Sequence, residues 1–188
     1  MEAFLVSTGL VALAEMGDKT QLLALVLVAR FRKPWPILLG MLAATVLNHG
    51  MAGAFGAWVT TVLSAQTLRW ILGASFLGLA VWMMVPDKLD NNTPQTPPRF
   101  GVFATTLAVF FLAEMGDKTQ IATVMLAARF NDYFSVVAGT TLGMMLANGP
   151  VVWFGEKVTH WVPLRVVRMV SALFFAVLGV AALMFHPD

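Results

Sequence analysis

Apolar residues run almost unbroken along this chain, in six stretches: Ala3–Ala29, Pro36–Leu63, Leu68–Val85, Phe100–Ala128, Phe134–Val158 and Leu164–Phe185. A helix of about 20 apolar residues spans the hydrocarbon core of a bilayer. The pattern therefore predicts an all-α integral membrane protein with six transmembrane helices and the lipid bilayer as its first partner. The stretches take up most of the 188 residues and leave no room for a soluble domain. Composition agrees: 59% of residues are hydrophobic and 12% charged, where a soluble domain averages about 25% charged. Mean hydropathy is +0.78.

Polar residues interrupt this pattern most sharply at two places. Leu13 to Gln21 reads LAEMGDKTQ, and Leu112 to Gln120 repeats it letter for letter, 99 residues on. The same offset pairs Leu27, Ala29, Arg30 and Phe31 with Leu126, Ala128, Arg129 and Phe130. It also pairs Gly40 with Gly139, Gly50 with Gly149, Phe55-Gly56 with Phe154-Gly155, and Arg69 with Arg168. The unit is three helices, used twice: residues 1–85 and residues 100–188, joined by a polar, Pro-rich linker over residues 86–99. A unit with an odd number of spans enters the membrane from the opposite side the second time. The expected architecture is two inverted three-helix repeats, a common transporter plan with its site near the midplane.

Charge sets the expected orientation. Arg30, Arg32, Lys33, Lys88, Arg99, Lys157, Arg165 and Arg168 fall on the side reached after the first span, and only Arg69 and Arg129 on the other. The positive-inside rule places the eight in the cytoplasm and both termini outside it. The run Arg30–Lys33 then reads as a topogenic loop. The pI near 9.3 does not imply nucleic acid, because net charge is only +2 and the basic residues are scattered at segment ends. The six Trp also fall mostly near segment ends, as interfacial anchors do. Cys is absent, which removes disulfides, thiolate metal sites and a Cys nucleophile. Met1-Glu2-Ala3 lacks the basic region of a signal peptide and no A-x-A-like site follows, so the first stretch is expected to remain as a helix.

The motifs carry the candidate chemistry. An ionisable residue at the centre of a membrane helix costs about 2.5–3.5 kcal/mol to insert and by default marks function. Glu15 and Asp18 stand at i and i+3, on one helical face, as do Glu114 and Asp117. If the motifs face each other, four carboxylates converge. Crowded carboxylates repel, and a bound cation or protons relieve the repulsion; a site that alternates between the two is an exchanger. Four acids and two lysines sum to −2, the charge of one divalent ion. Thr20, Gln21, Thr119 and Gln120 offer further oxygens, and an all-oxygen set suits hard cations such as Ca²⁺ and Mn²⁺. Glu15–Lys19 and Glu114–Lys118 are also i,i+4 pairs that could simply neutralise each other, at the cost of leaving two Asp unexplained. Gly17 and Gly116 fit either a helix break that frees carbonyls for the ion or close helix packing. The aligned pair His49 and Asn148 fits either a proton relay at His49 or hydrogen bonding across helices. Met16 and Met115 follow the glutamates, where a thioether favours Mn²⁺ over Ca²⁺, but at i+1 they point about 100° away on a regular helix.

Glu-x-Gly-Asp-(Lys/Arg)-(Thr/Ser), present twice in a six-helix chain, resembles the signature of the calcium:cation antiporter-2 family, which includes Golgi manganese/calcium–proton exchangers and small bacterial manganese exporters. The resemblance covers essentially the whole chain, and neither motif departs from the pattern. It implies export of Mn²⁺ or Ca²⁺ in exchange for H⁺, no catalytic residues and no cofactor, and a place in the cell (inner) membrane. By motif match it makes Glu15, Asp18, Glu114 and Asp117 the ion-binding carboxylates and Lys19, Thr20, Lys118 and Thr119 motif members. Oligomeric state stays open, a homo-oligomer included. Two rival functions remain. A six-helix exporter of amino acids or other small metabolites needs a roomy, mostly apolar cavity and one carboxylate. An intramembrane enzyme needs unequal partners, which two identical motifs do not offer. The eight-to-two basic asymmetry generates a first prediction: a C-terminal reporter active only in the cytoplasm stays silent, and strong activity there reverses the orientation.

Overall fold

The computed structural model describes residues 1–85, 101–155 and 164–184. Lys88 and Arg99 in the expected linker, and Lys157 and Trp161, lie outside the described residues. Within them the protein is all-helical: α1 (Glu2–Glu15), α2 (Lys19–Phe31), α3 (Pro34–Val62), α4 (Ala65–Met83), α5 (Gly101–Glu114), α6 (Lys118–Phe130), α7 (Tyr133–Phe154) and α8 (Leu164–Met184). Every expected apolar stretch is helical, but the first and fourth are each split in two. Three helices, α3, α7 and α8, are long and apolar enough to cross a membrane unbroken, and α5 is a shorter apolar helix.

The ends of these helices follow from local chemistry. Pro34 and Pro36 open α3, where a missing N–H costs nothing. Ser64 caps α4 by accepting from Thr67 N–H at 3.2 Å, and Asp132 caps α7 by accepting from Ser135 N–H at 3.1 Å. Helices α2 and α6 both stop at a left-handed residue, Arg32 (φ 50°) and Asn131 (φ 49°), which are 99 positions apart.

Packing couples the halves by exchange. Helix α1 packs on α7, the second long helix of the other half, and its counterpart α5 packs on α3. The contact depends on missing side chains. A Cβ on Gly139 of α7 would lie 2.6 Å from the Phe4 carbonyl oxygen of α1, and one on Gly40 of α3 would lie 2.8 Å from the Phe103 carbonyl oxygen of α5. Backbones approach this closely only through small residues, the device that replaces the hydrophobic effect inside lipid. The third helices, α4 and α8, pack on each other. There Phe76 stacks on its own repeat equivalent, Phe175, with ring centroids 6.3 Å apart.

The apolar core falls into two clusters. One joins α1, α4, α6 and α8 around Phe76, Leu126 and Phe175. The other joins α2, α3, α5 and α7 around Ile37, Met41, Phe110 and Val151. The outside is apolar too: Val166, Met169, Leu173, Phe174 and Val177 of α8 are exposed. A contiguous apolar exterior on this scale belongs in lipid rather than water. Trp35, Trp58, Trp70, Trp82 and Trp153 are likewise exposed.

Overpacking a close backbone crossing costs about 1–3 kcal/mol. Gly139→Leu and Gly40→Leu are each expected to lower the melting temperature of the detergent-purified protein by several degrees. Gly78→Leu, whose Cβ would meet nothing within 4 Å, is the control. Equal melting temperatures for all three place the helix crossing elsewhere.

Candidate functional site

Both motifs fold as a helix end, a tight turn and a helix start. Helix α1 stops at Glu15, Gly17 takes φ +81°, Asp18 is extended at the N-cap, and α2 begins at Lys19. The second copy matches: α5 stops at Glu114, Gly116 takes φ +74°, and α6 begins at Lys118 after an extended Asp117. A left-handed φ inside an apolar run selects glycine, because a Cβ there costs about 1–2 kcal/mol. Of the two uses open to Gly17 and Gly116, the structure shows the break.

A broken helix strands backbone N–H groups, and the motif supplies their acceptors. Gln21 Oε1 accepts from Gly17 N–H at 3.0 Å, and Gln120 Oε1 accepts from Gly116 N–H at 2.7 Å. Gln21 Nε2 also donates to the Ala147 carbonyl of α7 at 3.0 Å, tying the turn to the other half. Each glutamine amide oxygen thus holds its own turn.

The turns bring carboxylates together from both halves. One oxygen each of Glu15, Asp18 and Asp117 lies within 4.8 Å of the others, and all three residues are buried. Oxygens on opposite sides of a Ca²⁺-sized ion stand about 4.6–5.2 Å apart, since each ligand lies at about 2.3–2.6 Å. The triad is thus of a size to grip one ion. It forms through the helix break at Gly17 and the approach of the second motif, not through i,i+3 spacing on a continuous helix. Glu114, also fully buried, does not join the triad.

Each glutamate is held by the opposite half. Asn148 Nδ2 on α7 donates to Glu15 Oε2 at 3.4 Å, and Thr20 Oγ1 donates to the same oxygen. On α3, Thr45 Oγ1 donates to Glu114 Oε1 at 3.1 Å and Asn48 Nδ2 to Glu114 Oε2 at 3.4 Å. Thr45 and Asn48 escaped the sequence reading because the 99-residue offset aligns them with Met144 and Ala147. The asparagines that do equivalent work, Asn48 and Asn148, are 100 apart. A search for buried polar residues on the second span, without regard to the offset, finds both.

The remaining motif residues take different places. Lys19 Nζ lies 3.3 Å from Asp117 Oδ1, so it pairs across the halves rather than with Glu15 in its own motif. Lys118 Nζ donates to the Val85 carbonyl at 3.4 Å and stands 6.0 Å from the centre of the Trp82 ring. Thr119 is buried beside Glu15. His49 is fully buried, and neither ring nitrogen finds a partner among the described residues. Met115 is exposed and Met16 caps α1 outside the triad.

Comparison with known proteins points the same way as this geometry. A family model described as the divalent cation/proton antiporter GDT1 matches residues 3–91 and 102–187. A Vibrio cholerae serotype O1 protein described as a candidate manganese exporter is 45% identical over 186 residues, covering 98% of this chain and 92% of that protein. A GDT1-like protein of Synechocystis sp. is 27% identical, with 97% of each chain covered. GDT1-like protein 5 of Arabidopsis thaliana is 22% identical over 100% of this chain and 98% of its own length. No solved structure matches the chain.

Proposed function

The chain belongs to the GDT1 family of divalent cation/proton antiporters, and on that premise we propose that it exports Mn²⁺ from the cytoplasm in exchange for H⁺. The observation that carries this reading is the triad of Glu15, Asp18 and Asp117, built from both halves and sized for one ion. Glu114 completes the set of four carboxylates, placed behind the triad by Thr45 and Asn48. Three crowded carboxylates repel unless a cation or protons lie among them. Metal entry then releases protons, and protons from outside release the metal.

The membrane arrangement belongs to the same proposal. The pairs α1–α2 and α5–α6 are two discontinuous spans, and with α3, α4, α7 and α8 they make six. The units 1–85 and 100–188, joined by residues 86–99, are inverted repeats. Reciprocal packing of α1 on α7 and α5 on α3 supports this, as does the stacking of Phe76 on Phe175. Residues that touch their own equivalents lie on a two-fold axis. The protein resides in the bacterial inner membrane with both termini outside the cytoplasm. Half-helix ends at Gly17 and Gly116 then meet near the midplane, where transporters place their sites.

Manganese is chosen over calcium because the 45% identical relative carries that description; the oxygen donors by themselves accept either ion. The rival reading, a metabolite exporter, calls for a roomy cavity at the carboxylates. Three buried carboxylates converging from both halves do not match that plan, which needs a single carboxylate facing an amine.

Two outcomes are expected in proteoliposomes. An imposed pH gradient drives Mn²⁺ uphill while Mn²⁺ flux moves protons the other way; manganese flux indifferent to the gradient rejects antiport, and robust Ca²⁺ flux with no response to Mn²⁺ reverses the choice of ion. Asp18→Asn and Asp117→Asn each abolish transport at normal expression, because a divalent ion in hydrocarbon tolerates no missing ligand charge. Near-normal export by either variant sinks the shared site.

A further inference from the structure

We propose that Lys19 is a tethered cation that occupies the carboxylate site when the transported ion is absent and must leave when it enters. The inference rests on the reading of Glu15, Asp18 and Asp117 as the ion site. Lys19 Nζ lies 3.3 Å from Asp117 Oδ1, and Asp117 is one of the three triad carboxylates. A divalent ion bound by the triad needs the Asp117 carboxylate, whose Oδ1 the ammonium already contacts. Like charges at such a distance repel in a poorly screened interior, so ion and ammonium compete for Asp117.

The two ends of the pair suit such an exchange. Asp117 is 3% exposed and fixed, whereas the Lys19 side chain is 30% exposed. Its flexible four-carbon stem and compact charge can withdraw toward the open side without dragging backbone. The pair also joins the halves, since Lys19 comes from the first motif and Asp117 from the second. Lys118 has the same place in the other motif but a different setting: it is 4% exposed, donates to the Val85 carbonyl and faces the Trp82 ring. The ammonium of Lys19 thus neutralises a membrane-buried carboxylate in the metal-free protein, and its return helps to expel the ion. The cost is weaker metal binding.

Full-length protein in detergent, titrated with MnCl₂ by calorimetry, tests this directly. Lys19→Met is expected to bind Mn²⁺ about tenfold more tightly than wild type, a change of about 1.4 kcal/mol. Mn²⁺ should also raise its melting temperature more than that of wild type, by mass action on the folded state. In proteoliposomes the variant should show a lower half-saturating Mn²⁺ concentration and a lower maximal rate, while Lys19→Arg, which keeps the charge, should not bind Mn²⁺ more tightly than wild type. Lys19→Gln makes the same test should the methionine variant fail to fold. Unchanged or weaker Mn²⁺ binding in the uncharged variants overturns the proposal. Equal tightening by Lys118→Met also overturns it, by assigning the effect to local charge in general. Asp117→Asn separates the two layers: if it binds Mn²⁺ like wild type, the site itself is misplaced; if it loses binding while Lys19→Met changes nothing, only the tether falls.

Discussion

A charge taken out of water must find an opposite charge or a set of hydrogen bonds, and most of the unusual features of this protein answer that demand. Glu15, Asp18, Glu114 and Asp117 are all buried in a chain that is 59% hydrophobic. Each isolated ion would carry a penalty of several kcal/mol. Thr20 and Asn148 attend Glu15, Thr45 and Asn48 attend Glu114, and Lys19 attends Asp117. With the exception of Thr20, every one of these partners comes from the opposite half. Glu114 and Asp117 are met from the other half and Glu15 from both, so the polar layer ties the two halves together.

The exchange of helices follows from the same need. For Asn148 to reach Glu15, α7 must run close against α1; for Asn48 to reach Glu114, α3 must run close against α5. Gly139 and Gly40 supply the clearance, with Cβ positions already occupied by carbonyl oxygens of Phe4 and Phe103. Apolar contact adds little drive between helices in lipid. Small residues at the crossing and hydrogen bonds at the site therefore act together: the first sets the distance and the second selects the partner.

Much of this was legible in the sequence, and the parts that were not have identifiable causes. Six apolar stretches and a duplicated motif reveal helices and repeat because hydrophobic length and letter identity survive without context. The fate of Gly17 and Gly116 was open, since glycine serves equally for breaking a helix and for packing one; φ values of +81° and +74° decide it. Gln21 and Gln120 read as oxygen donors to an ion because their residue type allows it, yet their oxygens accept from the glycine N–H groups that the break strands. Thr45 and Asn48 stayed hidden because their role depends on which helix lies opposite, and strict offset matching paired His49 with Asn148 instead.

Identical sequences also need not have identical settings. Gly17 lies beneath Leu164, whose Cδ2 is 2.6 Å from where a Cβ would stand, while no described residue comes within 4 Å of a Cβ on Gly116. Glu15 shares the triad while Glu114 stays outside it, and Lys19 crosses to the other half while Lys118 reaches the Val85 carbonyl and the Trp82 ring. Two copies of nine residues thus sit in unequal surroundings, with the Lys19 side chain 30% exposed and Lys118 only 4% exposed.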